Sequence, residues 1–484
     1  MSVGACAKSV TLKHIVYSNY VGYKNNYRHS LSRNRLNRGI SIEKGKTMFN
    51  KFIPLIAGAA LLVAGCSEDT TTTSGDTYLE EGQGVVLLSG LPTLGTKDSL
   101  AIIDLDPESK TFGDLLYNYD LPEFDGSLHH LYYSPNGRLY ATGLNTQCSL
   151  AEIGLQRGAD GKPMVTGFDC IDTEGQVVAE DIMWHTAGGT DYMFVTFMGG
   201  TGLDQQDAGS VGVFDPQTNA LVKIIEARKS QVGEGEPYIM YPHGISAYGD
   251  RMVVTSAAHP DLKSGVGNTI AVIDLNTLEP IENIVVEDSM PVGFPSSPVE
   301  VLFVRPSIVA GVAPAVLVNT MFGFETWQVP YDGDSKTFGA PVKLYDGASS
   351  GTGVPLEFYG NETELFISHA VPGIVKRYDL SKLPDLVSSG ADIIAEAGAH
   401  HMIFFNAASG RKMIAVQNNL LNLGNAADND PTDVDFIANL SDHSITVHDL
   451  VTGERLASVN IKDKYNKGID NLEALFGSGF VHHH

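Results

Sequence analysis

One phrase recurs through this chain and constrains its fold more than any other feature. An alternating apolar segment, an aspartate, a short turn and a second segment read as SLAIIDLDPESKTF from Ser99, SVGVFDPQTNALVKII from Ser210 and TIAVIDLNTLEPIENIVV from Thr269. The same phrase returns as GIVKRYDLSKL from Gly373 and SITVHDLVTGERLASV from Ser444. Asp104, Asp215, Asp274, Asp379 and Asp449 each stand at a strand end, where a carboxylate accepts hydrogen bonds from turn N–H groups. Two weaker copies, SLAEIGLQRGADGKPMV from Ser149 and ETWQVPYDGDSKTFGAPV from Glu325, make seven hairpins.

Six other hairpins lie between them: HHLYYSPNGRLYATG, DIMWHTAGGTDYMFVTF, HGISAYGDRMVVTS, VEVLFVRPSIVAGVAPAVLVNT, LEFYGNETELFISHA and HMIFFNAASGRKMIAVQ. Taken in pairs, the hairpins form four-strand units of about 60 residues, the size of a propeller blade. The seventh unit is split: its outer strands lie in 99–121, and its inner pair comes from 471–480 and 84–90. An all-β fold is therefore expected, a seven-bladed β-propeller over 84–481, closed by pairing of the N- and C-terminal strands so that the ring has no open edge. Two β-sandwiches would use the same strands but leave seven copies of one phrase unexplained. A few helical turns are expected near 381–397.

Circular closure gives the histidines a common address. The first strand of each blade lines the central channel, so the residues at its start converge at one mouth. They are His129 with His130, Asp181 or His185, His243, Glu300, Glu357, His400 with His401, and Glu473. Imidazole nitrogen and carboxylate oxygen suit a transition metal, with copper, zinc and iron all compatible. The first choices as ligands are His129, His130, His185, His243 and His401, followed by Glu300 and His400. A lone histidine is usually structural. His259 reads as a loop residue, His369 is ambiguous, His443 and His448 read as surface, and His482 to His484 read as a tag remnant or a frayed end. The chain has no phosphate-binding glycine loop, no G-x-S-x-G elbow, no H-E-x-x-H helix and no CxxC.

The first 83 residues read differently. MFNKFIPLIAGAALLVAGC, residues 48–66, has a basic start, an apolar run and a small-residue site before Cys66, the pattern of a bacterial lipoprotein signal. Its apolar run of 14 residues, Phe52 to Gly65, spans about 21 Å as a helix, short of a ~30 Å hydrocarbon core. The expectation is a mis-assigned upstream extension at 1–47, a signal peptide at 48–65, lipidation of Cys66 and a flexible tether at 66–83. The protein would then sit at a bacterial cell envelope, facing the periplasm or the cell surface and touching the membrane through its anchor alone, as a monomer. Beyond residue 65 there are 22 basic and 56 acidic residues, a net charge of −34 that opposes nucleic-acid binding. Cys148 and Cys170 flank the turn at 157–162 almost symmetrically, and a disulfide between them is expected in an oxidising compartment.

The segment SLAIIDLDPESKTFGDLLYNYDLPEFDGSLHHLYYSPNGRLYATGL resembles the N-terminal blade region of the selenium-binding protein / methanethiol oxidase family, with strand, DLDP, a Leu-Pro segment and LHH in that order. EDIMWHT and DYMFVTFMGG within 180–200, PVEVLFVRP at 298–306 and GIVKRYDLS at 373–381 are also similar to family segments. The resemblance implies a seven-bladed propeller and a copper-type site. In enzymatic members it also implies oxidation of methanethiol to formaldehyde, hydrogen sulfide and hydrogen peroxide. It carries over to His129, His130, His185 and Glu300, whereas His243 and His401 rest on the ring argument. The cysteine-rich segment of the animal members has no counterpart here, so selenium binding is not expected. Two functions follow: a copper-dependent oxidase acting on a small sulfur compound, or a non-catalytic propeller that binds a protein, a ligand or a metal.

Overall fold

The computed structural model describes residues 82–482, apart from 89–96, 122–127, 145–147, 200–207, 228–234, 260–264, 288–294, 306–310, 361–362, 420–442 and 476–480. The expected signal peptide, Cys66 and nearly all of the tether lie outside the described residues.

Seven antiparallel sheets form the blades of a propeller. Blade 7 takes β1 (Gln83–Leu88), β2 (Ser99–Asp104) and β3 (Leu115–Asp120) from the start of the described chain. Blade 1 holds β4 (Leu128–Tyr133), β5 (Leu139–Gly143), β6 (Leu150–Arg157) and β7 (Pro163–Cys170). Blade 2 holds β8 (Ala179–Ala187), β9 (Thr190–Phe197), β10 (Ser210–Phe214) and β11 (Leu221–Glu226). Blade 3 holds β12 (Pro242–Tyr248), β13 (Arg251–Ala258), β14 (Val266–Asp274) and β15 (Glu279–Val285). In blade 4, β16 (Pro298–Val304), β17 (Ala315–Thr320) and β18 (Glu325–Asp332) are followed by β19 (Thr337–Phe338) and β20 (Val342–Asp346), which both pair with β18. Blade 5 holds β21 (Gly353–Gly360), β22 (Glu364–Val371), β23 (Ile374–Asp379) and β24 (Ile393–Ile394), and blade 6 holds β25 (Ala399–Asn406), β26 (Lys412–Asn418), β27 (Ser444–Asp449) and β28 (Arg455–Asn460). Then β29 (Asn471–Ala474) pairs with β1, Val85 opposite Glu473 and Val86 opposite Leu472, and completes blade 7 as expected. Last, β30 (Val481–His482) pairs with β21 rather than with blade 7.

The core lies between blades. Along β1 and β2, Val85, Leu87, Leu100 and Ile102 pack on blade 1, while Val86, Leu88, Ala101 and Ile103 pack on blade 6. Alternation is present, but both faces are covered, so all six residues of β2 are buried. Each such Val, Leu or Ile contributes about 1.5–3 kcal/mol relative to exposure. The outermost strand has one covered face, and β3 alternates between half-buried and exposed residues.

The recurring aspartates cap the outer turns. Asp215 Oδ1 accepts from the N–H of Gln217 at 2.8 Å, Asp274 from Asn276 at 2.8 Å, Asp379 from Ser381 at 2.9 Å and Asp449 from Val451 at 2.9 Å. Cys148 and Cys170 form the expected disulfide, their Cα atoms 5.5 Å apart. Two readings need correction. Residues 381–397 are mostly irregular, with one short 3₁₀ turn at Leu380–Lys382, because the segment only links β23 to a minimal outer strand. His448 is fully buried, because the third strand of a blade is sandwiched between its neighbours.

Candidate metal centre

Six of the seven innermost strands carry the same irregularity. In blade 1, Leu128 pairs with Gly143 and Leu131 with Ala141, so two inner residues face one partner. The same gap lies between Ala179 and Ile182, Pro242 and Ile245, Pro298 and Val301, Pro355 and Phe358, and Ala399 and Met402. Such a bulge bends the strand and re-aims its side chains. The bulge pairs are His129–His130, Glu180–Asp181, His243–Gly244, Val299–Glu300, Leu356–Glu357 and His400–His401. The register of β29 on β1 is unbroken.

Strain precedes the bulge. Val178, Tyr241 and Ser297, each directly before an inner strand, and Val354, directly before the Pro355–His369 pair that precedes the bulge of β21, have φ of 60°, 50°, 52° and 53°. The left-handed region costs a non-glycine residue about 1–3 kcal/mol, and such outliers cluster at functional sites. In blade 6, Gly398 makes the same turn at φ 86°.

A buried polar residue on the second strand offsets part of this cost. The residue opposite each bulge is Thr142, Thr196, Thr255, Asn319, Ser368 or Gln417. The hydroxyls of Thr142, Thr196, Thr255 and Ser368 accept the N–H of His130, Asp181, Gly244 and Glu357 at 3.2, 2.9, 2.8 and 3.2 Å. Several of these side chains also donate to the next blade. Thr196 reaches the carbonyl of His243 at 2.7 Å, Thr255 that of Val299 at 2.9 Å, Asn319 that of Leu356 at 2.5 Å and Gln417 that of Asp470 at 3.1 Å. One side chain therefore satisfies a bulge and ties it to its neighbour. The blades approach so closely that a Cβ on Gly244 would lie 2.5 Å from the carbonyl oxygen of Val299.

The bulges bring distant residues together. Ligand-capable atoms of His130, Glu357, His400 and His401 lie within 4.8 Å of one another, as do those of His129, Glu180 and His243, and those of Asp181, His243 and Glu300. Glu180 Oε2 is 3.3 Å from His129 Nε2 and 3.6 Å from both His130 Nε2 and His243 Nε2. His243 Nδ1 is 2.9 Å from Glu300 Oε1, and His400 Nε2 donates to Glu357 at 3.0 Å. Tyr132 donates its O–H to Asp181, and its oxygen lies 2.8 Å from His130 Nδ1. With its proton committed to Asp181, Tyr132 accepts from Nδ1–H and leaves the Nε2 lone pair of His130 facing the cluster. Such an outer partner sets the tautomer of a metal-binding histidine. Asp181 is held in turn by the N–H of Ile245 at 3.2 Å.

Burial decides the charge states. It holds His129 well below the usual imidazole range, helped by His400 and His243, and does the same to His130, helped by His129 and His401. Both are therefore neutral, the form that binds a metal. Burial pushes Glu180 up to about 8, with His243 opposing and Asp181 and Glu357 adding to the rise. Glu300 is driven well above the carboxylate range by burial and then by Asp181, Glu357 and Glu180. Carboxylates packed this way require protons or a cation as counter-charge. A mixed set of imidazole and carboxylate donors fits a transition-metal ion, and His130 Nε2, Glu180 Oε2 and His400 Nδ1 are buried there without a hydrogen-bond partner.

Of the ligands expected from sequence, His129, His130, His243, His400, His401 and Glu300 come together. His185 does not. It lies five residues beyond Glu180 on β8, half-buried, with Nε2 donating to the carbonyl of Gly249 at 2.8 Å. The bulge aims Glu180 and Asp181 inward, whereas His185 lies past it in regular strand. Glu473, on the unbulged β29, belongs to none of the three groups. Sequence reasoning missed Glu180, yet the signal was present. LHHL, AEDI, PHGI, PVEV, PLEF and AHHM align as an apolar residue or proline, two bulge residues and an apolar residue.

No family model matches the chain, and no curated protein matches it. Among solved structures, a hypothetical selenium-binding protein from Sulfolobus tokodaii is similar at a TM-score of 0.57 and 14% identity, covering 84% of this chain and 95% of its own. A candidate 6-phosphogluconolactonase from Bacteroides uniformis matches at a TM-score of 0.47 and 11% identity, over 83% of this chain and 100% of its own. At these identities the first likeness bears on the fold alone, and the second carries no weight.

Proposed function

We propose that this protein is a metalloprotein of the bacterial envelope, lipid-anchored through Cys66, whose channel-mouth cluster holds copper and supports oxidation of a small reduced sulfur compound. The observation that carries the metal reading is the convergence of imidazoles and carboxylates, nearly all of them buried, from six blades onto one site. Copper so held would accept electrons from the substrate and pass them to oxygen. The chain's own residues hold the donors still: Tyr132 sets the tautomer of His130, Asp181 holds Tyr132, and the strand-2 hydroxyls fix the bulges. The sulfur substrate rests on the LHH-centred resemblance. His243 is the most exposed of the ion-pairing histidines, with 13% of its side chain open, and marks the side from which a small molecule would approach.

The near-complete burial of the other donors favours a second reading, in which the ion only pins the ring or the propeller binds without turnover. Metal content of the purified chain and peroxide release from methanethiol separate the two. Bound copper with turnover supports the oxidase, bound metal without turnover supports the second reading, and absence of metal after copper reconstitution overturns the oxidase and the ring-pinning ion and leaves a metal-free binding scaffold.

A further inference from the structure

We infer that the channel mouth is built for two metal ions rather than one. This inference rests on the metal reading above and concerns how many ions the site takes. Two of the ligand groups share no residue. His130, Glu357, His400 and His401 form one, and His129, Glu180 and His243 form the other. A single transition ion accepts about four to six donors, so these two groups alone exceed one coordination shell. The groups adjoin, because Glu180 Oε2 of the second lies 3.6 Å from His130 Nε2 of the first.

A buried oxygen stands beside each group: the Tyr132 hydroxyl lies 2.8 Å from His130 Nδ1, and Glu300 Oε1 lies 2.9 Å from His243 Nδ1. Each also contains a buried atom with no hydrogen-bond partner: His130 Nε2 and His400 Nδ1 in the first, Glu180 Oε2 in the second. Charge agrees with the count. Glu180, Asp181, Glu300 and Glu357 are all buried, and each lies against a histidine. Two divalent cations neutralise all four carboxylates without protons, whereas one ion leaves two of them to be neutralised by protons.

The test is metal stoichiometry of the full chain, with His482, His483 and His484 replaced by alanine in every sample to remove terminal binding. The chain is stripped, reconstituted with Cu(II), desalted and analysed for copper per chain, with an electron paramagnetic resonance spin count on the same sample. Two coppers per chain are expected, with fewer than two spins if the ions couple. His401→Gln and His243→Gln are each expected to bind one copper and to give different spectra, because each empties a different group. Circular dichroism melts identify any variant that fails to fold, and the unsubstituted cluster alone still decides the stoichiometry. One copper per chain, or loss of the same single ion in both variants, overturns the two-ion inference and leaves the metal reading intact. No copper in the unsubstituted cluster overturns both.

Discussion

The two hairpins of blade 3 lie in one sheet and obey different rules. The outer hairpin, β14 and β15, turns at Asp274, whose carboxylate accepts a local N–H and meets Arg251 at 3.0 Å. The inner hairpin, β12 and β13, is bulged at His243–Gly244, follows a strained Tyr241 and is tied to blade 4 through Thr255. Repetition of sequence belongs to the outer hairpin, because the same turn is capped the same way in six of the seven blades. Repetition of backbone belongs to the inner one, where the bulge recurs while its residues change from His-His to Glu-Asp to Val-Glu. The lesson is that the most visible repeat marks scaffold, and the chemistry sits where one geometry carries different side chains.

The sharpest way to break this contrast is to compare His130→Ala with Asp274→Ala. The first is expected to weaken copper binding by more than the ~10–100-fold typical of losing an outer partner, and the second to leave copper content unchanged, as metal analysis at matched free copper would read. Equal loss in both would erase the distinction. Next in size is Thr255→Val. It leaves the N–H of Gly244 and the carbonyl of Val299 buried without their partner, at about 1–3 kcal/mol each, measurable by denaturant unfolding of metal-free protein. A change below ~0.5 kcal/mol would mean that the stitch between blades is incidental.

A pH experiment sharpens the same picture at the end of the inner hairpin of blade 5. His369, on β22, is fully buried, and burial, then Lys376, lowers it to about 3. The unfolded chain takes up this proton below about pH 6.5 while the folded chain does not, so stability is lost as pH falls from there toward 3. Replacing His369 with Gln is expected to reduce the acid-induced loss between pH 7 and 4.5 by about 2–3 kcal/mol. Parallel stability curves for the two proteins would show that the imidazole is protonated in the fold. The smallest effect belongs to the outer turn itself. Asp274→Ala is expected to cost about 1 kcal/mol in denaturant unfolding, and a cost several times larger would give that turn a role beyond capping.

Much of the architecture was legible because it depends on period and turn chemistry. The seven recurring hairpins, the hairpins between them, the shared blade 7 and the Cys148–Cys170 bridge all follow from local pattern. The candidate site was legible only in outline. His129, His130, His243, His400 and His401 stand out by residue type, but of Asp181 and His185 the one preferred, His185, lies past the bulge in regular strand, and Glu180 was missed. The burial of His448 was hidden for a related reason: an outer hairpin looks solvent-facing until its neighbours close over it.

By itself, then, the sequence determined the number of blades, their order and the joining of the two ends, since alternation and turn capping act within a few residues. The tertiary structure alone decided which side chains enter the channel. That choice depends on two residues facing one across a ladder, and on a threonine, asparagine or glutamine reaching the next blade. Such contacts span tens of residues of chain, and no local pattern encodes the distance they close.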